Sequence, residues 1–302
     1  MTVHTPDEPA TLSEEDWEVL LDAIEHGKCT PFLGSGVCHG VVPLAADIAQ
    51  KWAGEEHYPL DDHWDLARVA QFIATKYDPV YTKQKIADYI RAIDPPDFGE
   101  RDEPHAVLAD LPLPIYITTN YDDFMFRALS RLPGKEPMLE MCRWNSRVRQ
   151  ERSYLGEGVE LTVDRPMVYH LHGWSGVPES LVLSEDDYLD FLVNLWKDKL
   201  IPHRIERAMS GASLLFLGYR LADWDFRVLF RSLVSYLEIS LGRRHISVQL
   251  PPIERDAPPD RKQKVKQYLD RYFGSRQIRV FWGPCREFVT ELKRRREARR
   301  AR

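Results

Sequence analysis

CTPFLGSGVCHGVVPLAA, residues 29–46, is the longest stretch of the chain free of Asp, Glu, Lys and Arg, and its reading decides the fold. Its length approaches that of a membrane span. Two prolines, three glycines, a serine, a threonine and a histidine would however leave backbone and polar groups unsatisfied in lipid. The stretch is instead a short buried strand over 30–33, a glycine-rich loop over 34–43, and the start of a helix whose apolar face carries Leu44, Ile48 and Trp52. A strand, loop and helix in that order is the repeating unit of α/β proteins.

The same unit recurs outward from this seed. Upstream, Ser13 begins S-E-E-D-W, an N-cap signal, and Trp17, Leu20, Leu21 and Ile24 keep helical spacing until Gly27. Downstream, residues 64–93 give two helices, with Leu66, Val69, Ala70 and Ile73 on one apolar face and Ile86, Tyr89, Ile90 and Ile93 on another. They end at Pro95-Pro96. The β-formers PIYITT (114–119) run into N-Y-D-D, a start signal for a helix over 124–132. Residues 133–165 read as an irregular excursion before the strand MVYHLH (167–172). Ser184 then caps a helix through Trp196, and 198–209 continues helically. SLLFLG (213–218) is the most apolar strand, followed by a helix over about 223–239, strands at 245–250 and 278–282, and a charged helix at 260–273. The alternation predicts a Rossmann-like parallel sheet with helices on both faces and a helical insertion at about 54–110, all within one unit spanning 1–292.

Composition agrees with a globular chain: 302 residues, 43% hydrophobic and 29% charged, with a mean hydropathy of -0.42. These values exclude disordered, collagenous and membrane-spanning classes. The N-terminus MTVHTPDEPATLSEED lacks a basic start and an apolar run, which points to the cytoplasm. Cys29, Cys38, Cys142 and Cys285 contain no C-x-x-C pair, so neither a tetracysteine zinc module nor a disulfide framework is expected. The net charge of -6 gives no global attraction to nucleic acid, yet the last ten residues, KRRREARRAR (293–302), form a basic tail. Contact with nucleic acid or an acidic partner is one reading of that tail, and a solvated helix end is the other.

Ligands of parallel sheets sit outside the carboxyl ends of the strands. Four strand ends carry unusual chemistry: Gly34-Ser-Gly, Thr119-Asn-Tyr-Asp, His172-Gly and Gly218-Tyr-Arg. Glycines 34 and 36 suit a phosphate cradle, because bare backbone lets N–H groups approach an anion. The loop fails the dinucleotide and Walker fingerprints, since His39 stands where each wants a further glycine. A plain tight turn is the alternative. Asn120 and Asp122 either cap a helix or orient a substrate hydroxyl, water or leaving group. His170 and His172, two apart on a strand, share a face and read as the metal pair of a metal-dependent hydrolase or nuclease with Asp122 and Asp123, as a lone general base, or as core histidines. Gly173 would admit a ligand close to His172.

FLGSGVC (32–38), TTNYDDF (118–124), HLHG (170–173), LSEDDY (183–188) and FLGYRLADWDFR (216–227), in that order, resemble the sirtuin-like NAD-hydrolase domain of bacterial antiphage systems, over about residues 15–292. True sirtuins are more distantly similar. The resemblance implies NAD+ as substrate, with Gly34, Ser35, Gly36 and Thr119 near its phosphates and ribose, and Gly218, Tyr219 and Asp223 on the adenosine side. Asn120 would position the nicotinamide ribose or the attacking water, Asp122 would face the nicotinamide, and His172 would act as general base with His170 behind it. The implied reaction cleaves the nicotinamide–ribose bond, giving nicotinamide and ADP-ribose, with no metal expected. Cys38 stands where that family usually has a small hydroxyl residue, and the Pro-Asp-Phe-Arg run and the zinc cysteines of deacetylating sirtuins are missing. Those departures favour a hydrolase of NAD+ over a deacylase. An NAD-depleting effector must be controlled, so the resemblance also implies a homo-oligomer or a sensor partner such as an ATPase or Argonaute-type protein. A non-catalytic NAD or ADP-ribose binding module is the further alternative.

Overall fold

The computed structural model describes residues 12–150, 153, 155, 159–197, 200–219, 243–250, 258–274 and 277–301. Among them, seven strands form one sheet: β1 (Cys29–Leu33), β2 (Ile115–Thr118), β3 (Met138–Met141), β4 (Met167–His170), β5 (Ser213–Leu217), β6 (His245–Gln249) and β7 (Ile278–Trp282). Their order is β3-β4-β2-β1-β5-β6-β7, and every neighbouring pair runs parallel. All residues of β1, β2, β4, β5 and β6 are buried, as a sheet covered on both faces requires. Successive side chains feed opposite layers: Phe32, Ile117, Tyr169 and Phe216 enter one apolar core, and Leu33, Tyr116, Val168 and Leu217 the other.

The chain first builds outward from β1 through β2 to β3 and β4, then returns to lay β5 on the free side of β1. That reversal is a topological switch point, the place where open parallel sheets bind ligands. It also makes β4, β2, β1 and β5 consecutive neighbours, so the four strand ends singled out above lie side by side.

Helix α1 (Glu14–Glu25) precedes β1, α2 (Ala45–Glu56), α3 (Leu66–Lys76), α4 (Pro79–Arg91) and α5 (Pro104–Ala109) lie between β1 and β2, and α6 (Phe124–Ser130) follows β2. The later helices are α7 (Glu185–Lys197), α8 (His203–Ser210), α9 (Pro259–Gly274) and α10 (Cys285–Arg300). Ser13 and Asp16 close a reciprocal capping box on α1. Helices α2, α3 and α4 have their own core, in which Ile48, Trp52, Val69, Ile73, Ile86 and Ile90 meet Leu181 and Leu183.

Residues 133–165 differ from the sequence expectation, whereas the basic run takes the helical one of its two readings. Residues 133–165 are not wholly irregular, because β3 lies among them and pairs in register with β4. Its mid-strand Glu140 disguises it. That carboxylate is buried yet fully engaged, by Arg143 at 2.7 Å, the Met141 amide at 2.8 Å and the Ser153 hydroxyl at 2.8 Å. The basic run from Lys293 continues α10 to Arg300 and packs on α1, with Arg295 pairing Glu14 at 2.7 Å and lying 5.0 Å from the Trp17 ring. The expected helix at about 223–239 falls outside the described residues, as does Asp223 itself.

Candidate functional site

At the end of β1 the chain enters a short 3-10 turn, Ser35–Cys38. The amides of Gly34 and Gly36 donate to Leu217 O at 2.8 Å and Gly218 O at 2.9 Å, so these two donors tie the loop to the end of β5. Ser35 is the exposed residue of the Gly-Ser-Gly trio. Gly218 has φ +76, and a Cβ there would lie 2.4 Å from the Val37 amide nitrogen. No side chain fits at that distance, so the two loops approach this closely only through glycine. Tyr219 completes the seam, since its hydroxyl donates to Leu33 O at 2.9 Å and meets the Thr119 hydroxyl at 3.0 Å.

Asn120 stands at the meeting point of the β1 and β2 ends. Its carboxamide nitrogen donates to Gly34 O at 3.2 Å and to the Cys38 sulfur at 3.4 Å, and its backbone amide donates to the Thr118 hydroxyl at 3.0 Å. Its backbone carbonyl faces His170 Nδ1 at 3.1 Å. Asn120 is therefore not a helix cap. Asp122 serves the start of α6 by accepting from the Phe124 amide at 3.0 Å, while its other oxygen faces the Cys38 thiol at 3.5 Å. Both carboxylate oxygens are thus engaged inside the fold. Burial and then the Asp122 charge push the Cys38 thiol well above its usual range, so Cys38 is a neutral thiol at pH 7.

The two histidines do not pair. Strand β4 ends at His170, whose ring lies 6.5 Å from the Trp174 ring. His172 packs edge-on against Tyr188 at 5.5 Å and Phe191 at 5.1 Å, both on α7. With the strand ended, the alternation that puts both rings on one face no longer applies, and of the readings left open the metal pair with Asp122 and Asp123 is not assembled among the described residues. Gly173 is also read differently. A Cβ on it would sit 2.2 Å from Ser180 O, so its φ of +85 accommodates the returning backbone at Ser180 rather than a ligand. Burial pushes the His172 pKa down to about 4, keeping the imidazole neutral through ordinary pH.

Sequence reading missed three participants. His105, on α5, places Nε2 3.8 Å from the Cys38 sulfur, and its Nδ1 bonds Glu103 at 2.7 Å. Glu103 caps α5 through the Ala106 amide at 2.6 Å. The signal was present in Glu103-Pro104, an acidic cap followed by proline at the first helical position. Lys83, on α4, makes a buried pair with Asp187 at 2.7 Å, while Asp187 also accepts from the Leu183 and Ser184 amides at 3.1 and 3.0 Å. The LSEDDY motif thus holds α7 and the inserted helices together beside His172.

A family model for the SIR2-like domain matches residues 114–273, more than half of the chain. The chain belongs to the SIR2-like family. The match contains the strand ends bearing Asn120, Asp122, His172, Gly218 and Tyr219, and the sheet places the Gly34 loop directly between the ends of β2 and β5. Two curated proteins are similar to this SIR2-like chain, both called NAD(+) hydrolase ThsA. The one from Cytobacillus dafuensis is 25% identical over 236 residues, covering 76% of this chain and 43% of its own. The one from Acinetobacter baumannii (strain 532279) is 25% identical over 224 residues, covering 70% and 41%. The chain spans about two-fifths of the length of these relatives.

Proposed function

We propose that this SIR2-like chain hydrolyses NAD+ at the nicotinamide–ribose bond, releasing nicotinamide and ADP-ribose, and acts as an NAD-depleting effector in antiviral defence. The observation that carries the reading is Asn120, half-buried where four neighbouring strand ends meet and anchored by its carboxamide nitrogen to Gly34 and Cys38. Anchoring through nitrogen leaves the carboxamide oxygen as an acceptor for a ribose hydroxyl or a water. The kinship with two NAD(+) hydrolases points to the same substrate.

The chemistry asks little of the protein. The pyridinium of NAD+ is already cationic, so its departure needs neither a metal nor a strong acid. The site must hold the ribose, stabilise its oxocarbenium-like character and admit water. In this reading the exposed Ser35 meets the phosphates, Thr119 lies by the ribose, Tyr219 and Asp223 line the adenosine side, and Asp122 faces the nicotinamide. His172, neutral because it is buried, accepts a proton from a ribose hydroxyl or water. His170 supports Asn120 from below through the backbone carbonyl.

Control of such an activity is assigned to self-association or to a sensor protein, and the site of action to the cytoplasm. Among the described residues no helix is long and apolar enough to cross a membrane. The testing experiment is mass-spectrometric product analysis of NAD+ incubated with the chain, alone and with candidate partners. Nicotinamide appearing with ADP-ribose supports the reading. NAD+ bound but recovered intact in every condition replaces it with a binding module.

A further inference from the structure

Among the described residues, one cluster brings metal-ligating side chains together: Cys38, His105 and Asp122, all buried, with one ligand atom from each within 4.8 Å of the others. The sulfur lies 3.8 Å from His105 Nε2 and 3.5 Å from Asp122 Oδ2. Ligand atoms bound to a tetrahedral zinc ion at ordinary bond lengths lie about 3.5 Å apart, so the two distances from the sulfur are close to two edges of such a site, and the third edge, within 4.8 Å, would close on uptake. Each ligand is also held from behind. Glu103 accepts from His105 Nδ1 at 2.7 Å, which fixes the tautomer and directs the Nε2 lone pair at the cluster. The Phe124 amide holds the other Asp122 oxygen at 3.0 Å. A carboxylate behind a ligating imidazole is the usual outer support of a zinc site.

We infer that Cys38, His105 and Asp122 form a binding site for a thiophilic divalent cation, with Zn2+ the ion that the donor set fits best. Sulfur, imidazole and carboxylate together suit Zn2+ and exclude Mg2+ or Ca2+, which want oxygen alone. On uptake the S–H bond is broken and its proton passes to solvent. The thiolate and the Asp122 carboxylate then balance the two positive charges, with neutral His105 as third ligand. Asn120, 3.4 Å from the sulfur and more exposed than the ligands, borders the site on the crevice side. Occupation would draw Asp122 and the Cys38 sulfur to the ion and so shift one of the two acceptors that anchor Asn120, giving the ion a brake on the site. That consequence alone rests on the NAD+ reading.

Cobalt substitution tests the site without reference to activity. The folded chain titrated with Co2+ should bind one equivalent, with a thiolate-to-cobalt charge-transfer band and the visible bands of a tetrahedral ion, both removed by stoichiometric Zn2+. Cys38→Ser should lose the charge-transfer band while Cys142→Ser keeps it, and Glu103→Gln should weaken Zn2+ by roughly 10–100-fold. Circular dichroism confirms that each variant is folded, and His105→Gln in the Cys38-intact chain, which should lose tight binding, serves if Cys38→Ser does not fold. No stoichiometric ion in the wild type, or an unchanged band in Cys38→Ser, overturns the site. A second arm follows nicotinamide release with Zn2+ and then chelator. Slowing that chelation reverses supports the brake, and Zn2+ bound at full activity overturns it. A chain that binds the ion but never cleaves NAD+ overturns only the proposed activity.

Discussion

The rim of the crevice and the α1/α10 surface use polar residues in opposite ways. At α1/α10 the charges are many and meet one another at the water interface: Arg295 with Glu14, Arg244 with Glu15 at 2.6 Å, and Arg299 with Glu25 at 3.4 Å. At the switch-point strand ends Asn120, Asp122 and Tyr219 are buried or half-buried and bound to backbone, Asn120 to Gly34 O, Asp122 to the Phe124 amide and Tyr219 to Leu33 O. Exposed pairs trade water for one another at little net gain, whereas an orphaned buried group bears its full desolvation cost. A polar residue's weight in this protein is therefore set by where it lies, and single changes at the two regions should differ severalfold.

The largest expected effect is at the glycine seam. Gly218→Ala puts a Cβ 2.4 Å from the Val37 nitrogen in a left-handed backbone. It should cost more than about 4 kcal/mol, read as a collapse of the thermal midpoint or as failure to fold. Lys83→Ala comes next. It strips the buried partner of Asp187, for about 3 kcal/mol in urea unfolding, softened by the two amides Asp187 retains. If this pair proved no costlier than a surface one, the contrast would fail.

Acid should act on the interior before it acts on the surface. His172 and His245 both have pKa values pushed down to about 4 by burial, and His245 Nδ1 accepts from the Leu214 amide at 3.0 Å, which a proton there would forbid. Below about pH 6.5 the unfolded chain binds these protons and the folded chain does not. Stability should thus fall from pH 6.5 to pH 4, by up to about 3 kcal/mol for each histidine. Urea midpoints across that range measure the slope, and His172→Leu should remove its share. The smallest effect belongs to Arg295→Ala, under about 1 kcal/mol despite its two hydrogen bonds to Glu14 and its place over Trp17, and high salt should erase most of it.

The same distinction explains what the sequence made legible. Apolar runs announce buried parallel strands, so β1, β2, β4, β5, β6 and β7 could be read directly, and the strand ends that carry unusual residues lie side by side at the switch point. Strand β3 was hidden by Glu140, whose burial is tolerated because Arg143 and Ser153 reach it, a compensation no local pattern displays. His105 was overlooked for a related reason. Its approach to Cys38 spans 67 positions and exists only once α5 packs beside the glycine loop. For His170 and His172 only the shared-face metal pair fails, since the period-two rule holds only while the strand lasts, and β4 stops at His170. Gly173 was rightly seen as a point of close approach, but the approaching group is Ser180 O.

The most direct test of the crevice as an NAD+-cleaving site is nicotinamide release from NAD+, followed by mass spectrometry, for the wild type and Asn120→Ala side by side with folding checked by circular dichroism. The account predicts release by the wild type and at least a hundredfold loss, about 2.7 kcal/mol of barrier, in the folded variant. Equal release by both proteins would contradict it.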